Sequence, residues 1–303
     1  MLAFSACTQT SEVPCTDLGF HKSYAYVGEW DTRNPDKQNL RIITDGKISF
    51  EYSLPIRDEW DRVQEFDDVF VLPDGNILYA AMSQLGKLSP DGKLLWQYIC
   101  PQGTESHSLQ PLDGDRVYFA LNGVPGKIVI WNTATNECEK EIVVPTEGTN
   151  THGQFRHVRR TAEGNFTTGL FVEGKVVELN EDGEIVNSFD AKKVWQVEKL
   201  ANGNYLTACD NLCKVVEVNA DGETVWEFTQ EDAPFELFNT QTATRLDNGN
   251  TLICCWVAGQ PEENWPGTVQ FFEVTPDKNV VWQVSQWENP DLGPCTYLQI
   301  LEK

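Results

Sequence analysis

Histidines and aspartates that can carry chemistry occur in one part of this sequence. His107, His152 and His157 are three of the four histidines in the 303-residue chain, and the pair Asp67-Asp68 precedes them. Neutral imidazole and carboxylate groups bind zinc, manganese or iron, and they are also common general acids and bases. The sequence therefore raises the hypotheses of a metal site and of acid/base catalysis, the latter with His107, His157 and Asp68 as candidate catalytic residues.

A hydrogen-bonded binding site without turnover is the second interpretation of these residues. His152 and His157 lie in a single connecting segment, and no feature of the sequence fixes their geometry. We therefore expect a non-covalent ligand site with no resident metal ion and no cofactor, and we leave open whether the protein is an enzyme. The residues expected to contact the ligand are Asp67, Asp68, His107, His152, Arg156, His157, Trp195, Gln196, Gln241 and Tyr297.

Charge and aromatic content narrow the kinds of ligand. A net charge of -23 repels phosphate backbones and anionic lipid, so we expect no nucleic acid partner. Tryptophans beside acidic residues suit a neutral, carbohydrate-like ligand, because the rings offer flat apolar faces and the polar groups orient hydroxyls. Arg156 and Arg159 instead suit an anionic group, which a guanidinium binds through two hydrogen bonds.

A tight turn between two apolar segments recurs along the chain and defines the elements that must position these residues. Residues 89–96, 219–226 and 275–282 share its pattern, with a turn centred on Asp and a Trp five residues after that Asp. Asp-Gly between alternating apolar runs is a strong hairpin signal, in which we expect positive φ at both turn residues. The turns begin at residues 45, 91, 135, 182, 221 and 277, a spacing typical of a repeat protein.

A second set of turns alternates with the first, at residues 74, 113, 163, 202 and 248. Two hairpin turns per repeat give four antiparallel strands, which is the blade of a β-propeller. Residues 296–301 have the pattern of an inner strand, and residues 23–54 supply three further strands. We therefore predict an all-β fold, a six-bladed β-propeller closed by pairing the C-terminal strand with N-terminal strands, with no sheet edge left open.

The predicted topology assigns function to one face of the propeller. Residues 1–20 form a tether and residues 21–303 a single domain, whose hairpin turns all lie on one face. The blade connectors then lie on the opposite face, where residues 258–267 lengthen one loop, and extra length in one repeat favours the working face. The inner strands begin there, around the mouth of the central channel, with Asp67-Asp68, His107-Ser108, Arg156-His157, Trp195-Gln196, Gln241-Thr242 and Thr296-Tyr297.

The ten tryptophans divide between the strands and this face. Those on strands are expected to pack between blades: Trp96, Trp131, Trp226, Trp256 and Trp282. Those in loops or at their edges are Trp30, Trp60, Trp195, Trp265 and Trp287. A protein that serves only as a scaffold would present a shallow apolar patch around Trp60, Trp265 and Trp287.

The nine cysteines suggest several pairings. Cys15 and Cys295 each precede a strand of the closing blade, so a bridge between them would lock the ring. Cys209 and Cys213 flank a short loop and are either a disulfide or two separate thiols. Cys254 and Cys255 are adjacent in an apolar strand, where alternation points them to opposite faces, so we expect two separate buried thiols.

The repeated turn-and-Trp pattern at 89–96, 219–226 and 275–282, with related segments at 200–206 and 246–252, resembles the repeats of quinoprotein-like (PQQ-like) propellers. It is also similar to the propeller of bacterial arylsulfotransferases, and the resemblance runs from about residue 24 onward. In those sulfotransferases a histidine near the start of an inner strand takes the sulfuryl group, which implies His107 or His157. Quinoprotein dehydrogenases usually have eight blades, so six blades do not imply their cofactor.

Residues 1–9 resemble the end of a bacterial lipoprotein signal, in which small residues precede the lipidated cysteine, here Cys7. The resemblance implies a protein outside the cytoplasm, lipid-anchored to the bacterial cell envelope, and we expect it to be a monomer. The eight remaining cysteines fit an oxidising compartment. We expect a ligand-binding or protein-interaction propeller whose partner is a small molecule, a glycan or an envelope protein. The alternative is an enzyme of sulfuryl transfer or lyase-type acid/base chemistry.

Overall fold

The computed structural model describes residues 17–28, 30–148 and 150–302. Within these ranges, 24 strands form six four-stranded antiparallel sheets arranged in a ring. The protein is therefore a six-bladed β-propeller, as the spacing of the turns predicts.

Three blades come from the first part of the chain, except that the last strand completes blade 1. Blade 1 contains β1 (Ser23–Val27), β2 (Gln38–Thr44), β3 (Lys47–Leu54) and the last strand, β24 (Tyr297–Ile300). Blade 2 contains β4 (Phe66–Val71), β5 (Ile77–Ala81), β6 (Gln84–Leu88) and β7 (Leu94–Ile99). Blade 3 contains β8 (Leu109–Pro111), β9 (Arg116–Leu121), β10 (Lys127–Asn132) and β11 (Glu137–Val143).

The remaining three blades follow in chain order. Blade 4 contains β12 (Arg159–Arg160), β13 (Phe166–Leu170), β14 (Lys175–Leu179) and β15 (Ile185–Asp190). Blade 5 contains β16 (Val194–Lys199), β17 (Tyr205–Cys209), β18 (Lys214–Val218) and β19 (Thr224–Phe228). Blade 6 contains β20 (Thr240–Arg245), β21 (Thr251–Cys255), β22 (Phe271–Val274) and β23 (Val280–Val284).

Helical structure is confined to short 3₁₀ turns in the loops. They span Thr151–Gly153, Asp210–Leu212 and Glu262–Gly267 among the residues described. In that part of the chain no helix has the length and apolar character needed to cross a membrane.

The Asp-Gly turns adopt a different geometry from the expected one. The Gly92 amide donates to the Ser89 carbonyl at 2.9 Å, and φ is positive at Gly92 but not at Asp91. The register of β6 and β7 also shifts beside this turn. A type I turn followed by a glycine in the left-handed region produces such a bulge. Positive φ at both turn residues is therefore wrong for this turn, although it holds at Asp45 and Gly46.

The ring closes at blade 1, as predicted. The C-terminal strand β24 pairs antiparallel with β1, with Tyr24 opposite Ile300. The segment before β1 packs on blade 6, where the Phe20 ring stacks on Trp282 at 5.5 Å between centroids. The Trp282 indole also donates to the Asp17 carbonyl at 2.9 Å. Both ends of the described chain therefore stabilise the same junction.

Apolar side chains pack between neighbouring blades and form the core. Trp282 of blade 6 contacts Tyr24 of blade 1, and Trp96 of blade 2 joins a cluster with Phe119 of blade 3. Trp131 and Trp226 also pack against interblade clusters. These contacts confirm that four of the five tryptophans assigned to strands pack between blades. Trp256 follows the end of β21 and is not part of these clusters.

Within the described ranges, Cys100, Cys138, Cys209, Cys213, Cys254 and Cys255 are free thiols. Cys254 packs in the cluster between blades 6 and 1, and Cys255 packs between blades 5 and 6, so the expected two separate buried thiols are confirmed. Cys209 and Cys213 are also unbridged thiols and belong to different clusters. The proposed Cys15–Cys295 bridge and the lipidation of Cys7 each depend on a residue outside the described ranges, Cys15 and Cys7.

The inserted loop of blade 6 buries its tryptophan. Trp265 is fully buried against Trp287, with ring centroids 6.0 Å apart. The Arg33 guanidinium covers both rings, at 4.8 and 5.1 Å from their centroids. The apolar patch that a scaffold would present around Trp60, Trp265 and Trp287 is therefore not formed, because of these three only Trp60 is exposed.

Candidate functional site

Three inner strands begin with a β-bulge. The register of β4, β16 and β20 against the next strand shifts near the strand start, which leaves Asp67, Trp195 and Gln241 outside the regular ladder. A bulge bends the strand and re-aims the side chain of the extra residue. The structure thus gives Asp67 and Trp195 an orientation that simple alternation along a strand does not.

Carboxylates and imidazoles from blades 2, 3 and 4 form a continuous chain of contacts. Asp67 Oδ1 lies 3.1 Å from His107 Nδ1, and His107 Nε2 lies 2.9 Å from Glu105 Oε1. The same Glu105 oxygen lies 3.0 Å from His152 Nδ1. We call these four residues the imidazole–carboxylate chain.

The backbone holds this chain in place through Asn122. Glu105 and Asn122 form an isolated antiparallel bridge between their backbones. The Asn122 side chain then donates to the carbonyls of Thr151 and Phe155, at 3.1 and 2.8 Å. Because Thr151 opens the short helix that carries His152, Asn122 fixes the position of His152 relative to Glu105.

Burial and charge differ along the imidazole–carboxylate chain. Asp67 and His107 are buried, whereas the His152 side chain is 55% exposed. Burial alone would raise the pKa of Glu105, but the hydrogen bonds to His107 and His152 outweigh it and hold this pKa well below its usual range. The hydrogen bond to Glu105 raises the pKa of His152, yet burial and the Arg156 charge outweigh that bond and lower the pKa.

A cavity of about 320 Å³ opens beside His152, and we call it the mouth cavity. Its walls come from several blades around the central channel: Trp30, Val63, Glu65, Met82, His152, Trp195 and Trp256. A second cavity of about 810 Å³, the side cavity, has Trp60, Arg62, Glu105 and Thr151 among its lining residues. The two cavities adjoin, since Val63 and Met82 line both.

Two tryptophans of the mouth cavity have indole N–H groups that can still donate a hydrogen bond. The indole Nε1 atoms of Trp195 and Trp256 are buried and have no hydrogen-bond acceptor among the described residues. Trp30 adopts a left-handed backbone conformation with φ of +53°, which is uncommon for a residue with a side chain. Such conformations cluster at functional sites.

Arg156 supports one wall of this cavity. Its guanidinium carbon lies 4.6 Å from the centre of the Trp195 ring and 5.8 Å from that of Phe171. Its Nη1 atom is 3.9 Å from Glu105 Oε1. The buried cation therefore stabilises both the indole orientation and the negative charge of Glu105.

A second polar group, one residue further along the inner strands, centres on Arg159. Arg159 donates to both carboxylate oxygens of Asp68, at 3.0 and 3.2 Å, and its Nη2 lies 2.7 Å from His157 Nδ1. Arg159 Nη2 also donates to Gln196 Oε1 at 3.2 Å. The centre of the Tyr297 ring lies 5.1 Å from the guanidinium carbon. Arg159 is thus engaged within the protein and is not available for an anionic ligand.

The catalytic candidates in this second group are poorly placed for chemistry. Burial and the Arg159 charge hold the pKa of His157 well below its usual range, so the imidazole is neutral. Burial raises the pKa of Asp68 despite the opposing Arg159 charge. Neither side chain lines the mouth cavity. The hydrogen bonds of Arg159 connect blades 2, 4 and 5.

The structure divides the predicted site residues between these two groups. Those at or beside the mouth cavity are Asp67, His107, His152, Arg156 and Trp195, and those around Arg159 are Asp68, His157, Gln196 and Tyr297. Gln241 is buried at the bulge of β20.

Several residues of the site were missed by sequence reasoning. Glu65 and Glu105 each lie two residues before a predicted site residue, and this spacing places side chains on one face of an extended segment. Trp256 was assigned to strand packing, but β21 ends one residue earlier, at Cys255. The sequence signal for Trp256 was its position at the start of the loop between the second and third strands of its blade, on the face that carries the blade connectors.

No family model matches this sequence, and no curated protein matches it. A crystal structure of a protein of unknown function from Bacteroides caccae superposes with a TM-score of 0.79 and 24% identity, covering 93% of this chain and 100% of that chain. A streptogramin B lyase structure has a TM-score of 0.58 and 14% identity, covering 86% of this chain and 82% of that chain. A catalytically inactive virginiamycin B lyase from Staphylococcus aureus with quinupristin has a TM-score of 0.57 and 14% identity, with 86% and 84% covered.

These proteins share the fold of this chain. The β-propeller prediction is confirmed, and identities below 25% extend no further than the fold. The quinoprotein-like and arylsulfotransferase-like assignment stays a prediction.

Proposed function

We propose that this protein is a binding propeller that takes a neutral, carbohydrate-like ligand in the mouth cavity. The observation that carries this proposal is the meeting of Trp30, Trp195 and Trp256 around one cavity with Glu65 and His152. Indole faces pack on the apolar faces of sugar rings, while carboxylate, imidazole and indole N–H groups hydrogen-bond to hydroxyls.

The size and charge of the site favour an uncharged ligand of more than one ring. Ligand pockets in proteins are commonly about 300–1,000 Å³, a range that includes both adjoining cavities. Arg159 is paired with Asp68, and the whole chain carries a net charge of -23. The net charge therefore disfavours anionic ligands, and Arg159 is held by Asp68, whereas a neutral oligosaccharide can extend from the mouth cavity into the side cavity.

The test is isothermal titration of the purified protein with cellotriose, maltotriose, xylotriose and chitotriose. We expect one of these probes to bind, and we expect Trp195→Ala to weaken its binding at least about tenfold, equivalent to about 1.4 kcal/mol, because a stacking surface is lost. Trp60→Ala should weaken binding less than Trp195→Ala does, since Trp60 lines only the side cavity. Equal affinities of the wild type and Trp195→Ala would contradict the proposal.

Acid/base catalysis is the second candidate function, and the imidazole–carboxylate chain favours it. The imidazole–carboxylate chain ends at His152, which is half-exposed and lines the mouth cavity. A general acid or base must be able to reach a bound substrate, and His152 meets this requirement. Two structural neighbours are lyases, one of them inactivated by a His-to-Ala substitution. Consumption of a bound probe or of quinupristin, lost in His152→Gln, would identify an enzyme.

We also propose that the protein works outside the cytoplasm, held at the bacterial envelope by lipid on Cys7. Support comes from the likeness of residues 1–9 to a lipoprotein signal. Metabolic labelling with palmitate, compared between wild type and Cys7→Ser, tests this location.

A further inference from the structure

A carboxylate oxygen and two imidazole nitrogens converge between the two cavities. Glu105 Oε1, His107 Nε2 and His152 Nδ1 all lie within 4.8 Å of one another, and the Glu105 oxygen is 2.9 and 3.0 Å from the two nitrogens. Ligand atoms bound to zinc at about 2.1 Å, with angles of about 90–110° between them, are about 3.0–3.4 Å apart. Within the described part of the chain, no other three His, Cys, Asp or Glu side chains converge in this way.

We propose that Glu105, His107 and His152 bind one divalent transition-metal ion of the zinc type. Two imidazoles and one carboxylate are a donor set that suits zinc and iron, and such a set leaves coordination positions open. This inference goes beyond the proposed ligand-binding function and does not depend on the identity of that ligand.

The surroundings of His107 match those of a metal-bound histidine. Its second nitrogen, Nδ1, lies 3.1 Å from Asp67 Oδ1, and both side chains are buried. Metal-binding histidines almost always direct their other ring nitrogen to a carboxylate or carbonyl, which fixes the tautomer and the ring orientation. The bulge in β4 places Asp67 for this role.

The hydrogen-bonding groups around His107 are compatible with a metal ion. Both ring nitrogens face carboxylate oxygens, so an imidazolium would donate to both, whereas a neutral imidazole that donates to Asp67 directs its Nε2 lone pair towards Glu105. A metal ion between His107 Nε2, His152 Nδ1 and Glu105 Oε1 replaces the repulsion between lone pairs with coordination. Asp67 and Glu105 together supply two negative charges against a dication, and the Arg156 guanidinium near Glu105 offsets part of that attraction.

The position of this site leaves room for ligand atoms on the metal. His152 lines the mouth cavity and Glu105 lines the side cavity. The open coordination positions therefore face space in which water or a hydroxyl oxygen of a bound ligand completes the coordination shell.

The experiment measures metal binding directly on the full chain. Protein stripped with a chelator is titrated with Zn²⁺ in the presence of a competing chromophoric chelator, and bound metal is counted by mass spectrometry. We expect one zinc ion per chain. Glu105→Gln and His152→Gln should weaken binding at least about 100-fold, and Asp67→Asn about 10–100-fold with the stoichiometry kept, since it acts on the orientation of His107.

Controls separate this site from adventitious binding. His21→Gln removes a histidine outside the cluster, in contact with Glu273 and Glu302, and should leave zinc affinity unchanged. Circular dichroism checks that each variant folds, and His152→Gln keeps the test decisive if a buried variant does not fold, because His152 is half-exposed. Co²⁺ should give a visible spectrum without a thiolate charge-transfer band. Absence of zinc binding, equal affinity of wild type and His152→Gln, or a thiolate band for Co²⁺ would each overturn the proposal.

Discussion

Burial determines which charged side chains at the channel mouth can meet a ligand. Asp68 and Arg159 satisfy each other within the protein, while Glu65 and His152 line the mouth cavity. Asp210 is a third case, a buried carboxyl close to Arg156 whose Oδ1 atom has no hydrogen-bond donor among the described residues.

Asp210 should make stability fall as pH rises. Burial raises the pKa of Asp210 to about 6 from an ordinary value of 3.8, although the Arg156 charge opposes this. A carboxyl with a raised pKa in the folded state contributes fully to stability below pH 3.8 and loses that contribution as pH rises through about 6. We expect Asp210→Asn to stabilise the fold by about 3 kcal/mol at pH 7 and to have little effect at pH 3.5.

The measurement is thermal unfolding of both proteins between pH 3.5 and 8. The stabilisation corresponds to a rise in Tm of about 5 °C at pH 7. A Tm difference that is the same at all pH values would show that the Asp210 carboxyl is not the titrating group.

At the level of residues, the sequence predicts part of the site. Asp67, His107 and Trp195 were found because the repeat aligns the starts of the inner strands. Glu65 and Glu105 were missed because they precede those strands and lie outside the repeat. Trp256 was assigned to strand packing because the sequence does not show that β21 ends one residue before it, at Cys255.

Among the elements, turns and strand pairing differ in how far they can be predicted. The hairpins follow from Asp-Gly and Asn-Gly dipeptides, but the type I geometry with its bulge depends on the preceding residues, such as Pro90, whose ring favours the first central position of a type I turn. The bulges in β4, β16 and β20 have no glycine signal, and tertiary packing determines them.

The closure between blade 1 and blade 6 should depend on pH through His21. Its Nε2 atom lies 2.7 Å from Glu273 of β22, and its Nδ1 atom lies 3.4 Å from Glu302. Burial alone would lower the pKa of His21, but the hydrogen bonds to Glu273 and Glu302 outweigh burial and raise it. The contribution to stability is then fully present below pH 6.5 and is lost as pH rises through the raised pKa.

We therefore expect His21→Gln to destabilise the fold by about 1 kcal/mol at pH 6 and by less at pH 9. Urea unfolding of wild type and variant at both pH values measures the difference. A loss of stability that is larger at pH 9 than at pH 6 would mean that the ion pair does not hold the closure.

At the level of the whole molecule, the blade number and the ring closure are predictable because the sequence contains a regular repeat of turns. Five blades carry both turns and blade 1 carries only the first, so blade number and closure can be counted along the chain, and the six sheets agree with that count. The mouth cavity has no such signature, because its lining side chains come from distant parts of the chain and meet only when the ring is closed.

The most direct test of the site uses ¹⁹F NMR of protein labelled with 5-fluorotryptophan. The ten tryptophans report separately on the mouth cavity, the side cavity and the core, and single substitutions assign their resonances. Titration with the tightest-binding trisaccharide should shift the resonances of Trp30, Trp195 and Trp256 and leave those of Trp96 and Trp282 unchanged. Shifts confined to Trp60, or no shifts at saturating trisaccharide, would contradict a binding site at the channel mouth.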